Sequence, residues 1–233
     1  MNFKGWLKEN VEQEEFGVEN HSKKKELVVL VGPPAVGKST FVQSKFPKGS
    51  VYLVSRDDIV DEVARSFGMT YDDMWELPGP DSKIGETVPG KEQYGIVEAA
   101  PPWMKWSTKV YSNVLKANYL INSELENRFT QGIESGLNVV ADMTHMTPFD
   151  RQRALKHVKG KDFFKRAVVF TLKDSDVPTL LSRMRKRSDA IKSMGGSKTI
   201  GDDVVYRSIK NFQRVTPEEG FDRVETIYTF LNN

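Results

Sequence analysis

The sequence predicts an α/β fold: a mainly parallel sheet covered by helices on both faces. Three observations lead to this expectation. Short apolar, β-branched runs alternate with helical patterns from Glu26 to the C-terminus, the order that builds parallel sheets. The first run, Glu26–Val31, is almost wholly apolar, as a strand buried on both faces must be. A Gly/Pro turn follows it at once and leads into a helix.

The elements read in order as follows. Residues 1–25 form a polar extension with a weak helical pattern at Phe3, Trp6, Leu7 and Val11. After the strand 26–31 and the turn, a helix starts over Lys38–Ser44. Ser50–Ser55 reads as a second strand ending in Arg56, Asp57 and Asp58, and Ile59–Phe67 as a helix. Residues 69–106 form an insertion whose glycines and prolines (Pro78, Gly79, Pro80, Pro89, Gly90, Pro101, Pro102) break regular structure. A long amphipathic helix runs over 103–132, with room for one break, before the strand Asn138–Asp142. Then come a helix over 150–159, a strand over 165–172, an arginine-dense helix over 177–187, a helix over 202–214 and a last strand over 223–230. Residues 26–233 thus make one domain carrying the insertion and a lid at about 177–201.

Composition narrows the function classes. With 38% hydrophobic and 28% charged residues the chain is ordinary for a globular protein. No apolar run approaches the ~20 residues of a membrane span. The absence of cysteine removes any disulfide framework, and the first residues lack a secretory apolar core, which suits a cytoplasmic protein. A net charge of +2 does not by itself indicate nucleic-acid binding, so a basic site has to be found by position.

Gly32-Pro33-Pro34-Ala35-Val36-Gly37-Lys38-Ser39 satisfies G-x-x-x-x-G-K-[ST] in full, between a strand and a helix as the pattern requires. This is a P-loop. Its glycines let backbone N–H groups of residues 32–40, through Thr40, turn toward phosphates, and the helix N-terminus favours an anion. Lys38 is placed to reach the β- and γ-phosphates of ATP or GTP, and the Ser39 hydroxyl to ligate Mg²⁺. Asp142, at the end of its strand, is a second candidate for the metal.

Transfer of a phosphoryl group to an alcohol needs a carboxylate to receive the proton, and Asp57 stands at the carboxyl end of the second strand, where open sheets gather ligands. The alternative is that Asp57 and Asp58 cap the following helix. Arg56, Thr144, His145, Arg151 and Arg153 fall at the same sheet edge, where they are placed to contact an acceptor. Arg183 and Arg187, four apart, share a helix face and are placed over the triphosphate, as an arginine finger is; the alternative is a solvated basic face. Gly195-Gly196 suits a hinge beyond them.

With these residues in view, the chain resembles the polynucleotide 5′-hydroxyl kinases of bacteriophage and, more broadly, the P-loop kinases that include zeta toxins. The matching pieces are the phosphate loop, Ser55-Arg56-Asp57-Asp58, Asp142-Met143-Thr144-His145-Met146-Thr147-Pro148 with Arg151 and Arg153, the arginine helix 183–187, and Pro217–Asp222. The resemblance implies Asp57 as the base, Arg187 as the lid arginine, residues 142–153 as the acceptor side, Mg²⁺·ATP as donor and a DNA or RNA hydroxyl as acceptor. Two positions depart from it. Val60 and Asp61 stand where a basic residue is expected, and His145 stands where Asn is usual. The aromatics Trp75, Tyr94, Trp103 and Trp106 of the insertion either stack bases, including a hydroxymethylated base flipped from DNA, or form a small satellite core. A small-molecule or nucleotide-sugar kinase and an ATP-sensing binding module are the competing readings.

Overall fold

The computed structural model describes residues 24–76, 108–196 and 198–230. The N-terminal extension up to residue 23 and most of the insertion, with Tyr94, Trp103 and Trp106, lie outside the described residues. Five strands, β1 (Lys25–Val31), β2 (Val51–Ser55), β3 (Asn138–Asp142), β4 (Phe163–Thr171) and β5 (Arg223–Tyr228), form one sheet in the order β2-β3-β1-β4-β5. Every pairing is parallel. The helices are α1 (Lys38–Lys45), α2 (Arg56–Ser66), α3 (Asp73–Glu76), α4 (Thr108–Glu134), α5 (Pro148–Leu155), α6 (Val177–Ser193) and α7 (Asp202–Asn211).

The chain divides into two compact units, one of residues 1–55, 128–190 and 200–233, the other of residues 56–127 and 191–199. The first holds the sheet. Its central strand is β1, where Leu27 to Val31 have no exposure at all. Alternate residues serve opposite faces. Val28 and Leu30 pack with Phe41 and Val42 of α1, Leu180, Leu181 and Met184 of α6, and Val205 of α7. On the same core, Phe41 meets Phe170 edge-on with ring centroids 5.6 Å apart, a favoured aromatic geometry. On the other face α5 packs against β1.

Helix α5 begins with the capping signal its sequence carries. Thr147 Oγ1 and Asp150 Oδ2 close a capping box, with Pro148 at the first helical position. One turn later Arg151 is fully buried. Its Nε and Nη2 donate to the two carboxylate oxygens of Glu219 at 2.6 and 2.7 Å, Nη1 to the His145 carbonyl at 3.0 Å and Nη2 also to the Arg214 carbonyl at 3.3 Å.

Several expected boundaries move. Arg56 to Asp58 do not extend β2; they are the first turn of α2, where the Asp57 and Asp58 charges favour the helix N-terminus. Helix α4 is one unbroken run of 27 residues. Helix α7 stops at Asn211, and Gln213 N–H beyond it donates to the Met146 carbonyl at 2.9 Å. Strand β5 stops at Tyr228, opposite the end of β4 at Thr171, and Thr229 Oγ1 beyond it donates to the Val36 carbonyl at 2.9 Å. Helix α6 runs past the arginines to Ser193.

Removing one partner of a buried ion pair strands the other charge. Glu219→Ala is therefore expected to lower unfolding free energy by about 3–5 kcal/mol, read from the shift of the urea unfolding midpoint against the unchanged chain.

Candidate functional site

The phosphate loop leaves β1 through a glycine that no other residue can replace. A Cβ on Gly32 would lie 2.9 Å from Phe170 Cβ and 3.3 Å from the Phe170 carbonyl oxygen, so β4 leaves no space for a side chain. Gly32 N–H donates to the Thr144 carbonyl at 2.9 Å, which ties the loop to the segment after β3. Ala35 sits at φ 60° and Gly37 at φ 108°, so the chain twice enters the left-handed region as it wraps toward α1. Gly37 is the N-cap of α1 and supplies no side-chain cap, which leaves the helix N-terminus suited to an anion. Pro34 is partly buried and Val36 is buried, anchoring the arch from beneath.

Within this arch Lys38 is 9% exposed. Its ammonium donates to the carbonyls of Gly32 and Pro33, both at 2.8 Å. Ser39 and Thr40 follow on the exposed side of the first turn. Ser39 Oγ donates to Asp142 Oδ2 at 3.2 Å, so the loop hydroxyl and the strand-end carboxylate named from sequence do meet. Asp142 is the last residue of β3 and pairs in register with Ser55 at the end of β2. Among the described residues no group of three or more His, Cys, Asp or Glu forms a metal cluster.

Two residues expected on the acceptor side are placed otherwise. His145 is 3% exposed at φ 45°. Its Nδ1 is bonded to the Leu30 carbonyl at 2.9 Å, hence carries the proton, while Nε2 is buried without a hydrogen-bond partner among the described residues. Burial pushes its pKa down to about 4, so the ring is neutral at pH 7 and braces β1 just below the loop. Arg151 spends its guanidinium inside the protein on Glu219, His145 and Arg214. Thr144 is exposed beside them.

On α6, Arg183 and Arg187 are both exposed, as are Arg185 and Lys186 between them. The Arg183 guanidinium stacks 4.5 Å from the centroid of the Phe230 ring. Arg185, turned elsewhere, pairs with Asp202.

The second unit carries Arg56 and Asp57 in the first turn of α2. Asp57 Oδ2 accepts from Lys198 Nζ at 2.7 Å and Oδ1 from Tyr71 Oη at 3.0 Å. Neither partner was legible in sequence, since one lies 141 residues away and neither belongs to a local pattern. Val60, at the first departure from the kinase pattern, is 1% exposed, and Asp61 pairs with Arg65 at 2.9 Å.

A family model described as an AAA domain matches residues 27–214. The chain belongs to that family. The match begins in β1 and runs past the end of α7, taking in the phosphate loop, Asp142 and the arginine helix. Comparison with curated proteins gives no match. Among solved structures, a protein of the PezAT chromosomal toxin-antitoxin system of Streptococcus pneumoniae is similar in fold, with a TM-score of 0.51 at 12% identity over 89% of this chain and 68% of that one. A gluconokinase from Sinorhizobium meliloti 1021 aligns with a TM-score of 0.44 at 12% identity, over 89% of this chain and 84% of that one. The fold is an α/β P-loop NTPase-like one with a five-stranded parallel sheet. No helix among the described residues is long and apolar enough to cross a membrane.

A His whose folded pKa lies near 4 against an ordinary 6.5 takes up its proton more readily when unfolded. Between those values the unfolded state binds more protons, so stability falls as pH falls through this window. The loss is about 3 kcal/mol when complete. His145→Gln is expected to flatten this part of the stability curve, measured by urea unfolding at pH steps from 7 to 4.

Proposed function

We propose that this protein is an ATP-dependent kinase that transfers the γ-phosphoryl group to an alcohol hydroxyl of a nucleic acid, either a 5′ end or a hydroxymethylated base in DNA. The observation that carries the reading is the meeting of a complete phosphate loop with a strand-end acid, Ser39 Oγ and Asp142 Oδ2 at 3.2 Å. Both are hard oxygen donors. Mg²⁺ takes one or two carboxylates together with waters and substrate phosphates, so Ser39 and Asp142 fit it without a larger acidic cluster. When bound there the ion would supply charge neutralisation at the phosphates.

The remaining work falls to the chain. Lys38 has three ammonium donors, and its bonds to the Gly32 and Pro33 carbonyls are exchangeable for phosphate oxygens. The N-terminus of α1 adds its dipole. Asp57, two residues beyond the end of β2, accepts the proton of the acceptor hydroxyl as that oxygen bonds to phosphorus and ADP departs with the bridging oxygen. Arg187, with Arg183 one turn away, stabilises charge on the transferred group.

The nucleic-acid acceptor rests on the resemblance of Ser55–Asp58, residues 142–153 and the arginine helix to polynucleotide kinases. With His145 and Arg151 turned to internal bonds, contact to the acceptor from the segment after β3 is left to Thr144 and Asp142; Arg56 is proposed separately from the start of α2.

Three predictions test this reading. Labelled γ-phosphate offered to 5′-hydroxyl DNA, 5′-hydroxyl RNA, hydroxymethylated-base duplex and a metabolite panel including nucleotide sugars should appear on a nucleic acid. Label confined to a small molecule would overturn the acceptor class, and ATP binding without any transfer would overturn the kinase. Asp57→Asn should lower turnover by about 10²–10⁴-fold with ATP affinity, measured by titration calorimetry, nearly unchanged. Asp142→Asn should instead raise the Mg²⁺ concentration needed for half-maximal rate.

A further inference from the structure

Asp57 is gripped from two sides by residues remote from it in sequence. Lys198 Nζ donates to one carboxylate oxygen at 2.7 Å and Tyr71 Oη to the other at 3.0 Å. The same ammonium lies 4.8 Å from the centroid of the Tyr71 ring, so the three groups close a triangle.

Each arm of the triangle is itself anchored. Tyr71 is buried, and its turn is pinned where Asp73 Oδ2 accepts from both the N–H and the hydroxyl of Thr70 at 2.8 Å. The segment bearing Lys198 is delivered by the end of α6. Gly196 N–H bonds to the Ile191 carbonyl and Gly195 N–H to the Lys192 carbonyl, both at 2.9 Å, with Gly195 at φ 80°. This is the Schellman arrangement, which only a residue at ease in the left-handed region completes without strain. Past it, Thr199 N–H donates to Asp72 Oδ1 at 2.7 Å, fixing the backbone next to Lys198.

Stability alone does not account for the arrangement. The Lys198 side chain is 17% exposed and that of Asp57 47%. A pair with one half-open partner contributes little to folding, while a largely buried ammonium carries a desolvation cost. What the contacts do achieve is orientation. A hydrogen bond on each oxygen fixes the plane of the carboxylate. A fixed plane is what a general base requires before it meets a hydroxyl.

We infer that Lys198 and Tyr71 are positioning residues for Asp57, holding its carboxylate in one plane so that it receives the acceptor proton. The inference rests on the reading of Asp57 as the base given above. During transfer the proton moves from the acceptor hydroxyl to Asp57, and Lys198 and Tyr71 keep their own protons. The ion pair becomes a charge-to-neutral hydrogen bond, so the clamp is tightest before transfer and looser after it.

The test uses the full chain with labelled ATP and whichever nucleic acid of the panel above is labelled. Lys198→Met should lower kcat by about 10–100-fold, the scale of a misplaced catalytic group, with KM for ATP within about twofold of the unchanged chain. Lys198→Arg should restore most of the loss, and Tyr71→Phe should give a smaller fall in kcat. In an Asp57→Asn background, Lys198→Met should cost nothing further, because its effect passes through the carboxylate. An unchanged kcat in Lys198→Met, or an equal fall in both backgrounds, overturns the inference while leaving the base intact. Full turnover in Asp57→Asn sinks the base itself. If no nucleic acid is labelled, the acceptor reading fails but the clamp is still readable by hydrogen exchange over residues 191–199. Protection lost about tenfold in both Lys198→Met and Asp57→Asn supports the clamp, and unchanged protection in either overturns it.

Discussion

A guanidinium sealed from water holds the site side of the sheet together. Arg151 joins three parts of the chain that are far apart in sequence: α5, which carries it, the loop after β3 through the His145 carbonyl, and residues 214–219 through Arg214 and Glu219. A planar fork with five donors is suited to such a junction, because it satisfies a carboxylate and two carbonyls without rotating. The loop so fixed begins at Asp142 and passes Thr144, whose carbonyl receives the Gly32 N–H. His145 then reaches under β1 to Leu30. The position of the phosphate loop relative to the end of β3 therefore depends on a charge that never touches solvent.

This dependence explains which parts of the site could be read from sequence. Gly32 to Ser39 is a contiguous pattern whose residue types follow from local geometry, and its strand-to-helix setting is visible in the apolar run before it and the helix after it. Asp142 is legible for the same reason, as an acid ending a buried strand. Arg151 and His145 carry no such mark. A histidine and an arginine near the ends of strands read equally well as ligands for an acceptor or as internal braces, and only burial separates the two. The signal that could have distinguished them was Thr216-Pro217-Glu218-Glu219, a capping sequence whose acid lies opposite Arg151. Its meaning appears only once the chain has folded 68 residues back on itself.

The secondary structure was legible wherever a hydrophobic period persisted for the length of an element. Errors gathered at ends, where tertiary bonds decide. Arg56 to Asp58 looked like the polar end of a strand, yet two acids before an apolar helical run are equally a helix start, and the helix forms there. The base proposed at Asp57 and the helix-terminal acid are compatible: the residue stands in the first turn of α2 while its carboxylate is engaged by Lys198 and Tyr71. The departure at Val60 has a similarly plain cause. That position faces a core, and a basic residue there would have to bury its charge.

Lys38 shows how much of ligand recognition is settled by folding. A free lysine side chain has rotamer freedom worth about 1.5–2 kcal/mol. Here that freedom is already lost, since the chain is buried and its ammonium bonded twice within its own loop. A polyphosphate meeting this loop exchanges one set of acceptors for another around an ammonium that is already in place. If the loop grips a polyphosphate as proposed, binding carries little of the entropy cost of ordering this side chain. A loop so arranged would select for a chain of phosphates before any base.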